Sequence, residues 1–261
     1  MQLQDAVVVV TGAGSGIGAA LARRAAAEGA AAVVVSDRDG AAAERVAGEV
    51  GGTADATDVT DEAAVAALVE RTVAAHGRVD LFCSNAGVFS GGGIETDTAV
   101  WEQVFAVNVL AHVYAARAVL PSMLERGSGH LLNVASAAGL LTTPGDAPYT
   151  VTKHGAVALA EWLAVTYGDR GIGVSCVCPL GVSTPLLMDP LEQGRSAAAV
   201  VAASGRVITP EDVAQSVVEG LADERFLILP HPEVATYWAQ KAAEPERWLA
   251  GVRRLVRSTS G

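Results

Sequence analysis

Lysine is almost missing from this chain: beside sixteen arginines there are two, Lys153 and Lys241. Asparagine is nearly as scarce, occurring only as Asn85, Asn108 and Asn133. Aromatic residues make up 5% of a chain that is 51% hydrophobic, so its core has to be assembled from Ala, Val and Leu. The 261 residues are ample to bury such a core without staples. The three cysteines, Cys83, Cys176 and Cys178, form an odd set inside apolar runs, which argues against a disulfide framework. Cys176 and Cys178 have no second Cys or His pair nearby, so no metal site is expected. The N-terminus, Met1-Gln2-Leu3-Gln4-Asp5, lacks a basic region, and glycine cuts its valine run too early for a signal peptide or a membrane span. A formal charge of −11 disfavours nucleic acid as a partner. A soluble cytoplasmic protein with no membrane partner is the expectation.

What is present begins with Ala6 to Val10, a continuous valine-rich run suited to a strand buried on both faces. Directly after it comes Thr11-Gly12-Ala13-Gly14-Ser15-Gly16-Ile17-Gly18, then an Ala/Leu/Arg segment of helical character. Strand, glycine loop and helix start make a phosphate-binding device. Glycines let the backbone approach a pyrophosphate, and the helix start offers free N–H groups and the positive end of its dipole. Gly12, Ser15, Gly16, Ile17 and Gly18 are the expected contacts. A second valine strand, Ala31 to Ser36, ends in Asp37, nineteen residues past Gly18. A carboxylate there accepts hydrogen bonds from ribose hydroxyls and repels a 2′-phosphate, which favours NAD over NADP. Arg38 could soften that preference; a solvated charge at a strand end is its simpler explanation.

Helix and strand then alternate along the chain. Asp39 to Val50 is helical, and Gly52 to Ala56 is a short edge-like strand leading to Asp58-Val59. Asp61 to His76 is a helix expected to be capped by Thr60 and closed by Gly77. Strands follow at Val79 to Ser84, His130 to Ala135, Val174 to Cys178 and Phe226 to Leu229. Between them lie a long helical segment, Asp97 to Arg126, and a helix from Tyr149 to about Arg170. Residues 185–207 show no strong period and suit a lid, and residues 232–257 form a helical tail. About seven strands alternating with helices predict an α/β fold, a doubly wound parallel sheet with helices on both faces. No linker or repeat divides it, so a single domain over 1–261 is expected.

Tyr149 and Lys153 stand four apart on a helix and so share one face, with Ser136 thirteen residues before Tyr149. A cation beside a phenol favours the phenolate and is expected to lower its pKa. In so arginine-rich a chain, a lysine here points to a need for an ammonium, which is compact and can pass a proton. Tyr-x-x-x-Lys alone is a weak signal. The ordered set Thr11-Gly12-x-x-x-Gly16-x-Gly18, Asn85-Ala86-Gly87, Asn108, Ser136 and Tyr149-x-x-x-Lys153 is specific, and it resembles the short-chain dehydrogenase/reductase family over nearly the whole chain. The resemblance implies a Rossmann-type sheet, a nicotinamide cofactor and a catalytic tetrad of Asn108, Ser136, Tyr149 and Lys153. It further implies that Asp58 and Val59 flank the adenine and that Asn85, Ala86 and Gly87 lie along the cofactor. Tyr149 and Lys153 would meet it too, and Pro179, Val182 and Thr184 would reach its nicotinamide end. Asn108 would position a water linking Lys153 to solvent. Family members are commonly tetramers or dimers, so a homo-oligomer is expected.

One departure stands out: Pro179-Leu180 replaces the family's usual Pro-Gly, with glycine displaced to Gly181. All three asparagines, Asn133 included, fall in segments expected to line the site. His154, next to Lys153, is about 100° round the helix and is expected to pack or face solvent. Leu140 to Pro148 and Pro185 to Val207 carry leucines that either contact substrate or pack a lid. With Arg195 and Arg206 their only basic residues, they suit a mostly apolar secondary alcohol or ketone rather than a phosphorylated substrate. The aromatics of the tail, Tyr237, Trp238 and Trp248, suit either a site cover or an oligomer interface. A non-catalytic dinucleotide-binding regulator is the alternative function, and the intact Ser136, Tyr149 and Lys153 weigh against it.

Overall fold

The structure is a computed structural model that describes residues 1–259; the last two residues of the expected domain lie outside this range. Its sheet grows from the first valine run. β1 (Val7–Thr11) is buried along its whole length and pairs in parallel with β2 (Ala32–Asp37) on one side and β4 (Leu81–Ser84) on the other. With β3 (Thr53–Ala56), β5 (Gly129–Val134), β6 (Ile172–Val177) and β7 (Leu227–Ile228), the described residues form a seven-stranded sheet ordered β3-β2-β1-β4-β5-β6-β7. Every pairing is parallel. The chain starts at the centre, winds out to β3, then returns to the other side at β4. That reversal opens a crevice at the carboxyl ends of β1 and β4.

Alternation along the strands divides the core in two. Val8, Val10, Val33 and Val35 face α1 (Gly16–Ala27), α2 (Gly40–Val50) and α9 (Pro210–Ala222). Val9, Val34 and Phe82 face α3 (Glu62–His76), α5 (Ala111–Arg126) and α6 (Ala147–Tyr167). The doubly wound sheet expected from the sequence is therefore present, with strand ends displaced by one or two residues.

Four local expectations need correction. α3 is capped by Asp61, whose carboxylate accepts from the N–H groups of Ala63 and Ala64; Thr60 instead donates twice to Asp58. The segment 97–126 is not one regular helix but α4 (Thr98–Phe105), a widened π turn at Ala106–Leu110, and α5. Thr98–Arg126 is long and apolar enough to cross a membrane, but it packs here against α3 and α6 as a core element. α6 begins at Ala147, two residues before Tyr149, because Asp146 caps it by accepting from the Tyr149 N–H. Residues 185–207 hold two short helices, α7 (Pro185–Glu192) and α8 (Ser196–Ala203). α8 packs against both α7 and the C-terminal helix, so its apolar residues are spread round it and leave no period to read. The chain ends in a hairpin of α10 (Glu233–Ala243) and α11 (Pro245–Thr259).

Gly171 joins α6 to β6 at φ +80°, where an added Cβ would also run into the carbonyl oxygen of Gly127. Gly168, three residues earlier, has helical angles and open space around it. Gly171→Ala should cost about 2 kcal/mol or more and lower the thermal midpoint by several degrees. Gly168→Ala should be neutral or slightly stabilising; calorimetry on both variants checks the contrast.

Candidate active site

The crevice at the sheet's carboxyl edge opens into one cleft of about 850 Å³, lined by residues from Gly12 to Leu255. At one end stands the glycine loop. Gly12 and Gly16 have φ of +62° and +53°, and a Cβ on Gly12 would lie 2.8 Å from the Ala86 Cα. Ser15 precedes α1 without capping it by its side chain, and the first turn of α1 has no acidic residue. Free N–H groups and the dipole's positive end therefore face the cleft, a fit for a pyrophosphate. Asp37 accepts from the Gly14 N–H at 2.9 Å and from the Asp39 N–H at 3.0 Å, so it shapes the loop as well as lining the cleft. Arg45, not anticipated, ties the same loop through the Gly14 carbonyl. Asp58 is held below the usual carboxylate range, first by the Thr60 N–H and then by its hydroxyl, with Arg38 contributing.

The middle of the cleft is set by amides. Asn85 donates to the carbonyls of Thr11 and Gly12 at 2.9 and 3.2 Å, which locks the β4 end against the glycine loop. Asn108 is fully buried. Its side chain accepts from the Val88 N–H at 2.9 Å and donates to the Val88 carbonyl and the Thr152 hydroxyl, so it holds the wall from behind. Bonding of this kind stabilises an asparagine inside the π turn, where the helix ladder is already loosened.

At the other end Ser136, Tyr149 and Lys153 converge. Ser136 follows β5 and accepts from the Ala138 N–H at 3.1 Å, which turns the chain and leaves its hydroxyl on the cleft. Tyr149 packs edge-on against Phe89 with ring centroids 5.0 Å apart. Lys153 donates to the Val134 carbonyl at 3.1 Å and stands 5.6 Å from the centre of the Tyr149 ring. The expected lowering of the phenol's pKa is not what the protein alone produces. Burial pushes Tyr149 up to about 12, with only the Ser136 hydroxyl pulling down, and burial pushes Lys153 down to about 8. Desolvation is the largest cause of both shifts, and the ammonium is engaged by a carbonyl.

Of the site residues expected from the sequence, Gly18 and Asn108 do not line the cleft; the others do. Gly18 is needed for packing, since a Cβ there would run into the Gly12 carbonyl. Asn133 is also no part of the site. It points into the core, where its amide oxygen meets His112 Nδ1 at 2.8 Å, and burial pushes that histidine down to about 4. His154 bonds the Thr150 carbonyl, as a packing residue would. Leu180 is not among the residues with positive φ, so its backbone conformation does not call for a glycine. His231 secures that turn, accepting from the Leu180 N–H at Nδ1 and donating from Nε2 to the Gly181 and Arg206 carbonyls. Its importance had no sequence signal.

Two further residues escaped the sequence. Asp146 has no exposure and accepts from Ser90, Gly91 and Tyr149 N–H groups and the Ser90 hydroxyl, at 2.6 to 2.9 Å. Asp-x-Pro three residues before Tyr149 is a helix-start signal that could have found it. Lys241 donates to the carbonyls of Leu140 and Leu141 and stands 5.4 Å from the centre of the Trp248 ring, tying the C-terminal hairpin to the loop after Ser136. Tyr237 and Trp248 line the cleft, whereas Trp238 is exposed on the outer side. Leu141, Leu186 and Leu187 also line it, while Leu140 belongs to the core.

A family model described as short chain dehydrogenase matches residues 6–194. The 1-deoxy-11-beta-hydroxypentalenate dehydrogenase of Streptomyces exfoliatus is 38% identical over 246 residues, covering 89% of this chain and 86% of that protein. The cis-4-hydroxycyclohexanecarboxylate dehydrogenase of Sinomonas cyclohexanicum is 36% identical over 218 residues, covering 82% of this chain and 88% of the other. Among solved structures, a short chain dehydrogenase/reductase from Burkholderia phymatum in complex with NAD matches with a TM-score of 0.84 at 32% identity, over 94% of this chain and 96% of that one. A glycine loop and a Ser/Tyr/Lys cluster at opposite ends of one crevice, in a chain matched over most of its length, place this protein in the short-chain dehydrogenase family.

Proposed function

We propose that this protein interconverts a secondary alcohol and its ketone using NAD(H), with Tyr149 as the acid/base. The observation that carries the reading is the convergence of Ser136, Tyr149 and Lys153 on the cleft that the α1 N-terminus also faces. A bound nicotinamide dinucleotide supplies the hydride chemistry. Gly12, Ser15, Gly16 and Ile17 would hold the pyrophosphate, Asp37 the adenosine ribose, and Arg38, Asp58 and Val59 the adenine side. Asn85, Ala86 and Gly87 run along it, and Pro179, Val182 and Thr184 bound its far end. Ser136 orients the substrate oxygen by a hydrogen bond. Tyr149 takes the carbinol proton in oxidation and returns it in reduction. Lys153 holds a ribose hydroxyl and stabilises the phenolate. Asn108 acts by position, fixing Val88 and the widened turn behind Lys153.

Leu141, Leu186, Leu187 and Trp248 on the cleft support an apolar body for the substrate. The two relatives above are both named for hydroxylated carboxylates, which fits a secondary alcohol on a carbocyclic body. One catalytic domain with residues 185–207 as its lid and the C-terminal hairpin as its roof is the proposed organisation. Three buried free thiols suit a reducing compartment, the cytoplasm. α6 leaves Val151, Trp162 and Val165 exposed along one stripe, with Val165 at 86%, a surface suited to a second copy.

Tyr149→Phe keeps the ring packing and removes the proton carrier, so turnover should fall by about 10²–10⁴ with NAD binding retained. Because the phenol starts near 12, oxidation should rise with pH through its value in the loaded enzyme, and reduction should fall over the same range. Lys153→Arg should weaken NAD binding and displace that profile towards higher pH. Steady-state kinetics and NAD titration check all three statements.

Asp37→Asn retains an oxygen for the Gly14 N–H but removes the charge facing a 2′-phosphate. Wild type should prefer NAD, and the ratio of kcat/KM for NAD to that for NADP should fall in the variant. A wild type that favours NADP would assign Arg38 to the 2′-phosphate instead.

Light scattering should give a dimer or tetramer mass for the wild type, and Trp162→Asp with Val165→Asp should reduce it. A monomeric wild type refutes the assembly.

A further inference from the structure

The C-terminal hairpin brings unusual charge to the cleft. In a chain of net charge −11, α11 carries Arg247, Arg253, Arg254 and Arg257 against one acid, Glu246. Arg247, Trp248, Gly251, Arg254 and Leu255 follow helical spacing along one face, and all five line the cleft. Most cations near this cleft are already engaged. Lys153 binds the Val134 carbonyl, Lys241 the Leu140 and Leu141 carbonyls, and Arg247 the Glu244 carboxylate at 3.2 Å. Arg38 lies at the opposite end, within the field of Asp58. Arg254 has neither a hydrogen-bond nor an ion-pair partner among the described residues.

Gly251 is the second observation. Glycine is among the poorest helix formers, so one in mid-helix calls for a reason. Packing supplies none: a Cβ there would meet nothing nearer than Arg254 Nη2, at 3.8 Å. The small residue leaves open space on the cleft side of α11, immediately beside the unpaired guanidinium. The same cleft carries an apolar lining that includes Leu186, Leu187 and Val252. Trp248, at the start of the same face, is tied through Lys241 to the loop after Ser136, so the face extends from the substrate end outwards.

We infer that Arg254, in the space left by Gly251, receives a carboxylate carried by the substrate at the end remote from its carbinol carbon. The inference rests on the dehydrogenase reading and narrows it to an apolar hydroxy acid and the matching keto acid. A planar guanidinium pairs with a carboxylate through two parallel hydrogen bonds. One cation suits one such charge and is poorly matched to a phosphate dianion. The site lies at the rim, where water screens it, so its contribution is to selectivity between substrates rather than to the chemical step.

The test uses hydroxycycloalkane carboxylates of graded length, each paired with its primary amide, at saturating NAD. Wild type should favour the acid of the best pair. Arg254→Gln should lose about tenfold more kcat/KM on the acid than on the amide, chiefly through KM, with partial recovery in Arg254→Lys. Gly251→Val should shift the same ratio without changing any charge, and added salt should erode the acid preference in wild type alone. The amide series reports that each variant is folded. If the acid-to-amide ratio is the same in wild type and Arg254→Gln, the carboxylate site is overturned while amide oxidation leaves the dehydrogenase reading standing. If a separate NAD titration shows that Arg254→Gln raises the KM for NAD, with that ratio unchanged, the guanidinium serves the cofactor and the inference is again overturned. If no member of either series is oxidised and Tyr149→Phe matches wild type, both readings fall together.

Discussion

A carboxylate with no exposure holds the Tyr149 end of the cleft together. Asp146 lies just before α6, and its two oxygens accept four hydrogen bonds, from the loop at Ser90 and Gly91 and from the helix start at Tyr149. A buried charge is tolerated only when so fully bonded. Here the bonding joins two segments more than fifty residues apart, by the separation of Ser90 and Asp146. The loop supplies Phe89, which packs against the Tyr149 ring, and Val88, which Asn108 grips from behind. One cap thus sets the helix register, the position of the phenol and the wall beside it.

The same burial governs the electrostatics. A phenol and an ammonium in one dry site each resist charging, which is why Tyr149 is pushed up and Lys153 down in the protein alone. Buried groups of this kind answer strongly to a charge brought beside them, because the surrounding protein screens it weakly. On the proposed function, the positive ring of oxidised NAD is that charge. Proton transfer is then coupled to the presence of the cofactor and suppressed without it.

The scarcity of lysine takes on meaning in the structure. Both lysines donate to backbone carbonyls around the Ser136 loop, Lys153 from below at Val134 and Lys241 from the hairpin at Leu140 and Leu141. A compact ammonium with rotatable donors fits a cluster of carbonyls better than a planar fork does. The arginines stay at the surface or the rim, where their reach and permanent charge cost little. The hairpin they decorate turns an open crevice into a cleft with a roof.

Much of this protein was legible in its residues because the signals were local. A valine run followed by glycines and a helix start specifies β1, its turn and α1 through backbone sterics alone, and Asp37 follows at a distance the intervening helix dictates. Tyr149 and Lys153 could be paired by their spacing on a helix face, while Ser136 joined them through the ordered motif set and the family it resembles. Tertiary structure decided what local spacing cannot reach. Asn133 looked like a site residue, but the side its strand presents to His112 depends on how α5 packs over β5. The order of α8 was hidden because apolar neighbours on several sides erase a helical period. His231, Asp146 and Lys241 each have a partner 50 or more residues away, a contact that exists only once the sheet has brought the two together. The direction of the Tyr149 shift belongs to the same class. Sequence shows a cation four residues away, but how far water is excluded from both groups is a property of the folded cleft.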